Sequence, residues 1–324
     1  MNILILSAGR RTKVTEYFKK EFNARGGRVI ATDCDRLAPA LYFADEYVIV
    51  PKITEPGYIN KIYDICKEKN ISGIISLIDP ELELIAQHEK EFNALGTTLF
   101  VSAYDVCRLC FDKYDMYKFL SSNNIPCAKT YISVDDFKSA RKNGDIDFPV
   151  FVKPRCGSAS LGINIVDNMK HLELLYELSD NLIIQEYLKG TEYGADCYID
   201  TISKKPVSVF VKKKIRMRSG ETDKSVSVKD NRLFDFIKGF IAKLGAKGTI
   251  DIDIFNVDGT WYVSEVNPRF GGGYPHAYEC GCNFPQYIIN NLEGKENTDN
   301  IGIYEEGIIM MKHDTLTMIK EENL

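Results

Sequence analysis

Residues 249–269 read TIDIDIFNVDGTWYVSEVNPR, two apolar runs of β-forming residues either side of an Asp258-Gly259 pair. An Asp-Gly pair between alternating hydrophobic segments is a strong hairpin signal, because both central residues of the tight turn need positive φ. The strands predicted are Thr249–Phe255 and Trp261–Glu265. A turn centred on Asp258-Gly259 brings Asp253 and Glu265 close to opposite one another on one face, and Asn267, two residues on, shares that face. Like charges opposed across strands are destabilising unless a cation lies between them. Two carboxylates and an amide oxygen form the hard-oxygen set that magnesium accepts while keeping waters and nucleotide phosphates. Asp251 falls on the same face, in position to support that set. The competing reading is a solvated hairpin face, which the apolar residues interleaved with the acids disfavour.

Upstream, Phe151-Val152-Lys153-Pro154-Arg155-Cys156-Gly157-Ser158-Ala159-Ser160-Leu161-Gly162 is a strand bearing a lysine, then a small-residue loop. Such a loop can turn its backbone N–H groups onto phosphates while Lys153 supplies a point charge. It is not a Walker A loop, since G-x-x-x-x-G-K-[ST] occurs nowhere in the chain. Gln185-Glu186-Tyr187-Leu188-Lys189-Gly190-Thr191-Glu192 carries an apolar strand into a glycine turn that ends in an acid. A hinge of that kind offers backbone groups to a base edge and a carboxylate to sugar hydroxyls. Each segment taken singly also suits an ordinary turn.

Residues 1–105 alternate short β-branched runs with amphipathic stretches, the pattern of parallel strands joined by crossover helices. Strands are expected at Asn2–Ser7, Arg28–Thr32, Tyr47–Val50 and Gly73–Ile78, with a helix through Ile59, Ile62, Tyr63 and Cys66 that stops near Asn70. Ligands collect beyond the carboxyl ends of such strands, which here carry Gly9-Arg10-Arg11, Asp33-x-Asp35 and Asp79-Pro80-Glu81. Turn chemistry alone also favours Gly, Asp and Pro at these places. The pattern changes at 106, with a helix around Asp112–Ser122, another from Ser133, and the lysine strand. From 181, strands are expected at Leu182–Tyr187, Tyr193–Asp200 and Pro206–Val211. A helix follows through Leu233, Phe236, Ile237, Phe240, Ile241 and Leu244, capped by Gly245. The expected division is 1–105, 106–180 and 181–324, an open parallel α/β unit followed by an α+β pair.

The whole chain supports that reading. Its 324 residues exceed what one core usually organises, so two or three packed units and a cleft are expected. A net charge of −5 gives no general field for nucleic-acid phosphates, and no apolar run has the length of a signal peptide or a membrane span. Nine scattered cysteines suit a reducing cytoplasm. Cys107-x-x-Cys110, and Cys280-x-Cys282 with His276, lack a second ligand pair for structural zinc, so these thiols read as small buried hydrophobes.

In this order, the segments resemble the ATP-grasp superfamily, in its carbamoyl phosphate synthetase-like and biotin carboxylase-like branch. The most specific part is Glu265-Val266-Asn267-Pro268-Arg269 with Asp253 upstream. The resemblance implies ATP and Mg2+ as cofactors and an ADP-forming ligase that activates a carboxylate for an amine. Lys113 and Lys153 would bind phosphates under the loop holding Gly157, Ser158, Ser160 and Gly162. Glu186 and Leu188 would meet adenine, and Glu192 the ribose. Asp253, Glu265 and Asn267 would hold magnesium, and Arg269 would steady the acyl phosphate or its oxyanion. Asp253 is shorter than the Glu or Gln common at that place.

Gly271, Gly272 and Gly273 are expected to floor the substrate pocket, with Arg216, Arg218, Glu221 and Lys224 either on a loop folding over it or on a solvated charged hairpin. Gly9, Arg10, Asp33, Asp79 and Glu81 would face it from the first unit. Both charge signs there suit an amino acid or small carboxylate. His276 reads either as a general base or as a histidine satisfied by hydrogen bonds. The length leads to the expectation of one ATP-grasp unit, not the two of a carbamoyl phosphate synthetase, and of no large closing domain like a biotin carboxylase's. A partner-dependent carbamoyl or carboxyl phosphate-forming subunit and a non-catalytic nucleotide sensor are the alternatives. Members of the superfamily are often dimers, which leaves a homodimer open.

Overall fold

The computed structural model describes residues 1–157 and 162–323. Its first sheet has five parallel strands, β1 (Asn2–Leu6), β2 (Arg28–Asp33), β3 (Glu46–Ile49), β4 (Ile71–Ser76) and β5 (Thr98–Leu99), in the order β3-β2-β1-β4-β5. Alternation along β1 serves two cores. Ile3 and Ile5 join the one containing helix Thr12–Asn23, and Leu4 and Leu6 the one containing helix Tyr58–Glu68. A sheet buried on both faces reads as a continuous apolar run, which is why Ile3 to Leu6 shows no polar residue.

The second sheet has four strands, β6 (Thr130–Tyr131), β7 (Val150–Pro154), β8 (Asn164–Val166) and β9 (Leu182–Glu186), in the order β6-β9-β7-β8. Val150, Val152 and Ile184 pack with Phe137 and Leu172 from the helices Val134–Lys142 and Met169–Leu178. β9 therefore belongs here, pairing antiparallel with β7, and the change of sheet falls at 187–190 rather than at 181.

The third sheet has six strands, β10 (Thr191–Ile199), β11 (Pro206–Arg218), β12 (Glu221–Val228), β13 (Gly248–Val257), β14 (Thr260–Asn267) and β15 (Ile309–Met311), ordered β14-β13-β10-β11-β12-β15. The segment expected as a short strand and a loop is instead a long hairpin, turning at Ser219 and Gly220, both at positive φ. Lysine and serine alternation hides it from a reading that looks for apolar runs. Ile250, Ile252 and Ile254 are buried in one core with Leu233, Ile237 and Phe240 of helix Asn231–Leu244. Gly245 ends that helix at φ 70°. The alternate residues Asp251 and Asp253 face away from this core.

Register on the β13–β14 hairpin departs from what its turn alone sets. Val257 pairs with Thr260 and Ile254 with Val263, a spacing that extrapolates to Asp253 opposite Ser264. A bulge at that point moves the pairing by one, so Asp253 lies opposite Glu265 and Asp251 opposite Asn267. A one-residue slip exchanges faces, so without the bulge Glu265 would point into the core.

Gly190 sits where the chain crosses between the two antiparallel sheets, and a Cβ there would collide with the Asn256 carbonyl oxygen. Gly190→Ala must displace backbone. The expected loss is about 1–3 kcal/mol, the range for overpacked sites, read as a lower urea midpoint with unchanged slope.

Candidate active site

A cavity of about 520 Å³ opens where the three sheets meet. Its wall takes Lys153 from β7, Glu192 from β10, Lys214 from β11, Asp251 and Asp253 from β13, and Glu265 and Asn267 from β14. Asp79, at the start of the helix after β4, reaches the same space, as do Glu186, Leu188, Arg218, Arg269, Gly272 and Gly273.

The charges are arranged against one another. Lys214 Nζ lies 2.6 Å from Asp253 Oδ1 and 2.7 Å from Glu192 Oε1. Burial alone would lower the Lys214 pKa, yet Asp253 and Glu192 hold it above its usual value. Among the described residues Lys153 has no such partner: burial pushes it down to about 8, which the nearby Glu265 only partly offsets. Burial likewise raises the Glu265 carboxyl, with Lys113 opposing and Asp253 adding to the shift. Glu265 makes no hydrogen bond or ion pair among the described residues. A half-hidden carboxylate with free oxygens beside a second carboxylate and an amide is a donor set that fits a divalent cation. Lys214 already holds one oxygen of Asp253, leaving the other for such an ion.

Lys113 is next door rather than on the cavity wall. It borders a small recess with Gln185 and Glu265, and its Nζ donates to the Gly157 carbonyl at 2.5 Å. Asp112, the cap of its helix, is gripped by Arg155 through Nε at 2.9 and 2.7 Å, which ties the end of β7 to the helix that begins at that lysine. Gly157 and Gly162 are both at positive φ. Ser158 and Ser160 lie outside the described residues.

Arg269 is buried and its Nε and Nη2 donate to Asp79 Oδ2 at 3.2 and 2.8 Å, with Asp251 at 3.8 Å. Burial disfavours its charge, but Asp79 and Asp251 keep its pKa above the usual value. The pair joins the parallel sheet to the end of β14. The three glycines after Phe270 answer to charged neighbours. A Cβ on Gly271 would lie 2.5 Å from Asp251 Cγ, one on Gly272 2.9 Å from Arg11 Nη1, and one on Gly273 2.5 Å from Lys212 Cε.

Several expected residues lie elsewhere. His276 is buried, its Nδ1 2.8 Å from Ser225 Oγ and its Nε2 3.1 Å from the Ile308 carbonyl, with Phe210 edge-on to its ring. Both nitrogens are occupied away from the cavity, so it is a core histidine and no general base. Glu81 is fully buried and accepts from Ser7 Oγ at 2.9 Å and from the hydroxyls of Tyr58 and Ser76, tying β1 and β4 to the Tyr58 helix rather than facing a substrate. Asp33 accepts from the backbone N–H groups of Gly9 and Asp35, at 2.8 and 2.9 Å, as a turn brace. Arg10 is exposed and its neighbour Arg11 lines the cavity instead. Arg216 lies off the wall on the exposed part of β11. Arg11 and Gln185 enter the sequence reading only as members of their motifs, without a role, and Lys214 does not enter it. Reading Lys212-x-Lys214 with strand periodicity would have found Lys214.

Two antiparallel sheets closing on a charged cavity, beside a parallel α/β unit, define a clamp-type α/β protein. The chain belongs to the ATP-grasp family: that domain matches residues 110–273, and a PylC-like N-terminal domain matches residues 3–100. The carbamoyl phosphate synthase arginine-specific large chain of Geobacillus stearothermophilus is 25% identical over 273 residues, covering 81% of this chain and 26% of its own. The chain thus spans about a quarter of the length of that relative. The N5-carboxyaminoimidazole synthetase of Staphylococcus aureus, solved with ADP, superposes with a TM-score of 0.74 at 18% identity, over 92% of this chain and 78% of that one. The L-amino acid ligase of Bacillus licheniformis gives 0.70 at 20%, over 92% and 75%.

Burial holds His276 at a pKa of about 4, below the value near 6.5 of an unfolded chain. The unfolded state then takes the proton first, so stability is complete above about pH 6.5 and falls as pH drops toward 4. His276→Asn is expected to flatten this part of a thermal-unfolding pH profile. Turnover in that variant should remain within a few-fold of the parent, whereas a general base would cost about 100-fold or more.

Proposed function

We propose that this chain is an ATP- and magnesium-dependent ligase that activates a carboxylate as an acyl phosphate for attack by an amine. The observation that carries the reading is the bulge-set face of Asp253, Glu265 and Asn267, opposed in one cavity by Lys153 and Arg269. Membership of the ATP-grasp family supports it.

In this reading Lys153 and Lys113 hold nucleotide phosphates, and Glu186, Leu188 and Glu192 take the base and ribose. Asp253, Glu265 and Asn267 hold magnesium, which would supply charge neutralisation at the phosphates. Arg269, fixed in direction by Asp79, donates to the oxyanion that forms when the amine attacks, an electrostatic contribution that needs no reorganisation. The substrates are small molecules, an amino acid or small carboxylate and an amine. No helix among the described residues is long and apolar enough to cross a membrane, and cytoplasmic ATP suits the proposed reaction. A second reading, a carbamoyl- or carboxyl-phosphate-forming subunit, draws on the likeness to the carbamoyl phosphate synthase chain, and bicarbonate-stimulated ADP release would favour it.

Purified protein is expected to release ADP in a magnesium-dependent manner when given the right pool of amino acids and small carboxylates, and Glu265→Ala is expected to abolish that stimulation. Tight ATP binding with no stimulation by any pool would sink the ligase reading. Because Lys153 sits at about 8, kcat/KM for ATP should decline as pH rises through that value, and Lys153→Met should lose the decline together with most of the activity.

A further inference from the structure

Arg11 has no assigned task, although it stands on the cavity wall between the parallel sheet and the β11–β12 hairpin. Its guanidinium carries five N–H donors. Among the described residues it makes one ion pair, Nη1 to Glu221 Oε1 at 3.3 Å, and no side-chain hydrogen bond. Burial, together with the neighbouring Arg269 charge, pulls its pKa down more than Glu221, Asp251 and Asp79 raise it. The nearby acids are already engaged. Glu221 also takes Lys312 at 2.9 Å, and Asp79 and Asp251 face Arg269. Gly272 leaves room for the guanidinium, since any larger residue would strike Nη1. This end of the cavity therefore holds more positive donors than acceptors to use them.

We propose that Arg11 anchors a carboxylate of the amine substrate, so that the acceptor is an amino acid or another amine bearing an acid group rather than a simple amine. The inference rests on the ligase reading above. The anchor lies beside Gly272 and Arg269, which places the acceptor's acid end at that part of the cavity wall. Glu221 competes with that carboxylate for Arg11 and pairs with the cation while the site is open. Arg suits the task better than Lys because its planar fork meets both carboxylate oxygens.

The test measures ADP release at saturating ATP and magnesium with each of the protein amino acids and, as its paired probe, the matching α-carboxamide. The wild type is expected to prefer the acid form. In Arg11→Gln the KM for the acid should rise about 10- to 100-fold, the loss that follows from removing a charge-assisted hydrogen bond, with KM for the amide and for ATP little changed. Glu221→Gln separates an anchor from a structural strap. Freeing Arg11 from its competitor should lower the acceptor KM, while a strap predicts the same rise as in Arg11→Gln. Stimulation by amide and acid alike, acid preference that survives Arg11→Gln, or a raised KM in Glu221→Gln would each overturn the anchor and leave the ligase reading intact. Absence of stimulation by any probe, with the pool of small carboxylates also supplied, would remove the ligase reading, and the anchor with it.

Discussion

Asp253 and Glu265 stand opposite each other on β13 and β14, with Asp251 two residues behind Asp253 on a wall largely withdrawn from water. Burial raises the carboxyl pKa values of Asp251 and Glu265, and the neighbouring Asp253 charge raises them further. The placement of the surrounding cations follows from this constraint. Lys214 is brought along β11 onto Asp253 and Glu192, and Arg269 comes from the end of β14 onto Asp79 and Asp251. Glu265 is the acid whose oxygens stay unclaimed among the described residues, and it faces the lysine whose charge is least supported. In the proposed reading, that residual pair is where a cation and phosphates would be received.

The same electrostatics reach the architecture. Asp79 belongs to the parallel unit and Arg269 to the clamp, and their buried pair joins regions 190 residues apart. Losing one partner of such a pair typically costs about 3–5 kcal/mol, because the other is left charged and unpaired. Lys212 and Asp196 form a second buried pair beneath the glycine run. Gly271, Gly272 and Gly273 let backbone pass over Asp251, Arg11 and Lys212 where no Cβ would fit. Those glycines therefore report charges packed underneath as much as a ligand above.

The hairpin with its acids, the capped helix ending at Gly245 and the parallel strands of the first unit were legible because each rests on local signals: a turn dipeptide, a period, a cap. His276 and Glu81 looked like site residues for an equally local reason, being polar groups next to motif residues. What decided their place was satisfaction in the core. Ser225 and Ile308 take both nitrogens of His276, and three hydroxyls surround Glu81. Those partners lie up to 74 positions away in the chain, at a distance no local pattern encodes. Arg10 and Arg11 differ only in which way the turn after β1 directs them.

By itself, the sequence determined the classes of element, their order, and the acids, lysines and arginine from which a phosphate- and cation-binding cleft can be built. Only the tertiary structure decided which of them meet. The bulge that turns Glu265 outward, the extension of β11 that delivers Lys214, and the assignment of β9 to the smaller sheet all depend on pairing between distant strands. Strand pairing has period two, so a single-residue shift exchanges a core residue for a site residue. That choice is made by the packing of Ile250, Ile252 and Ile254 on the far side.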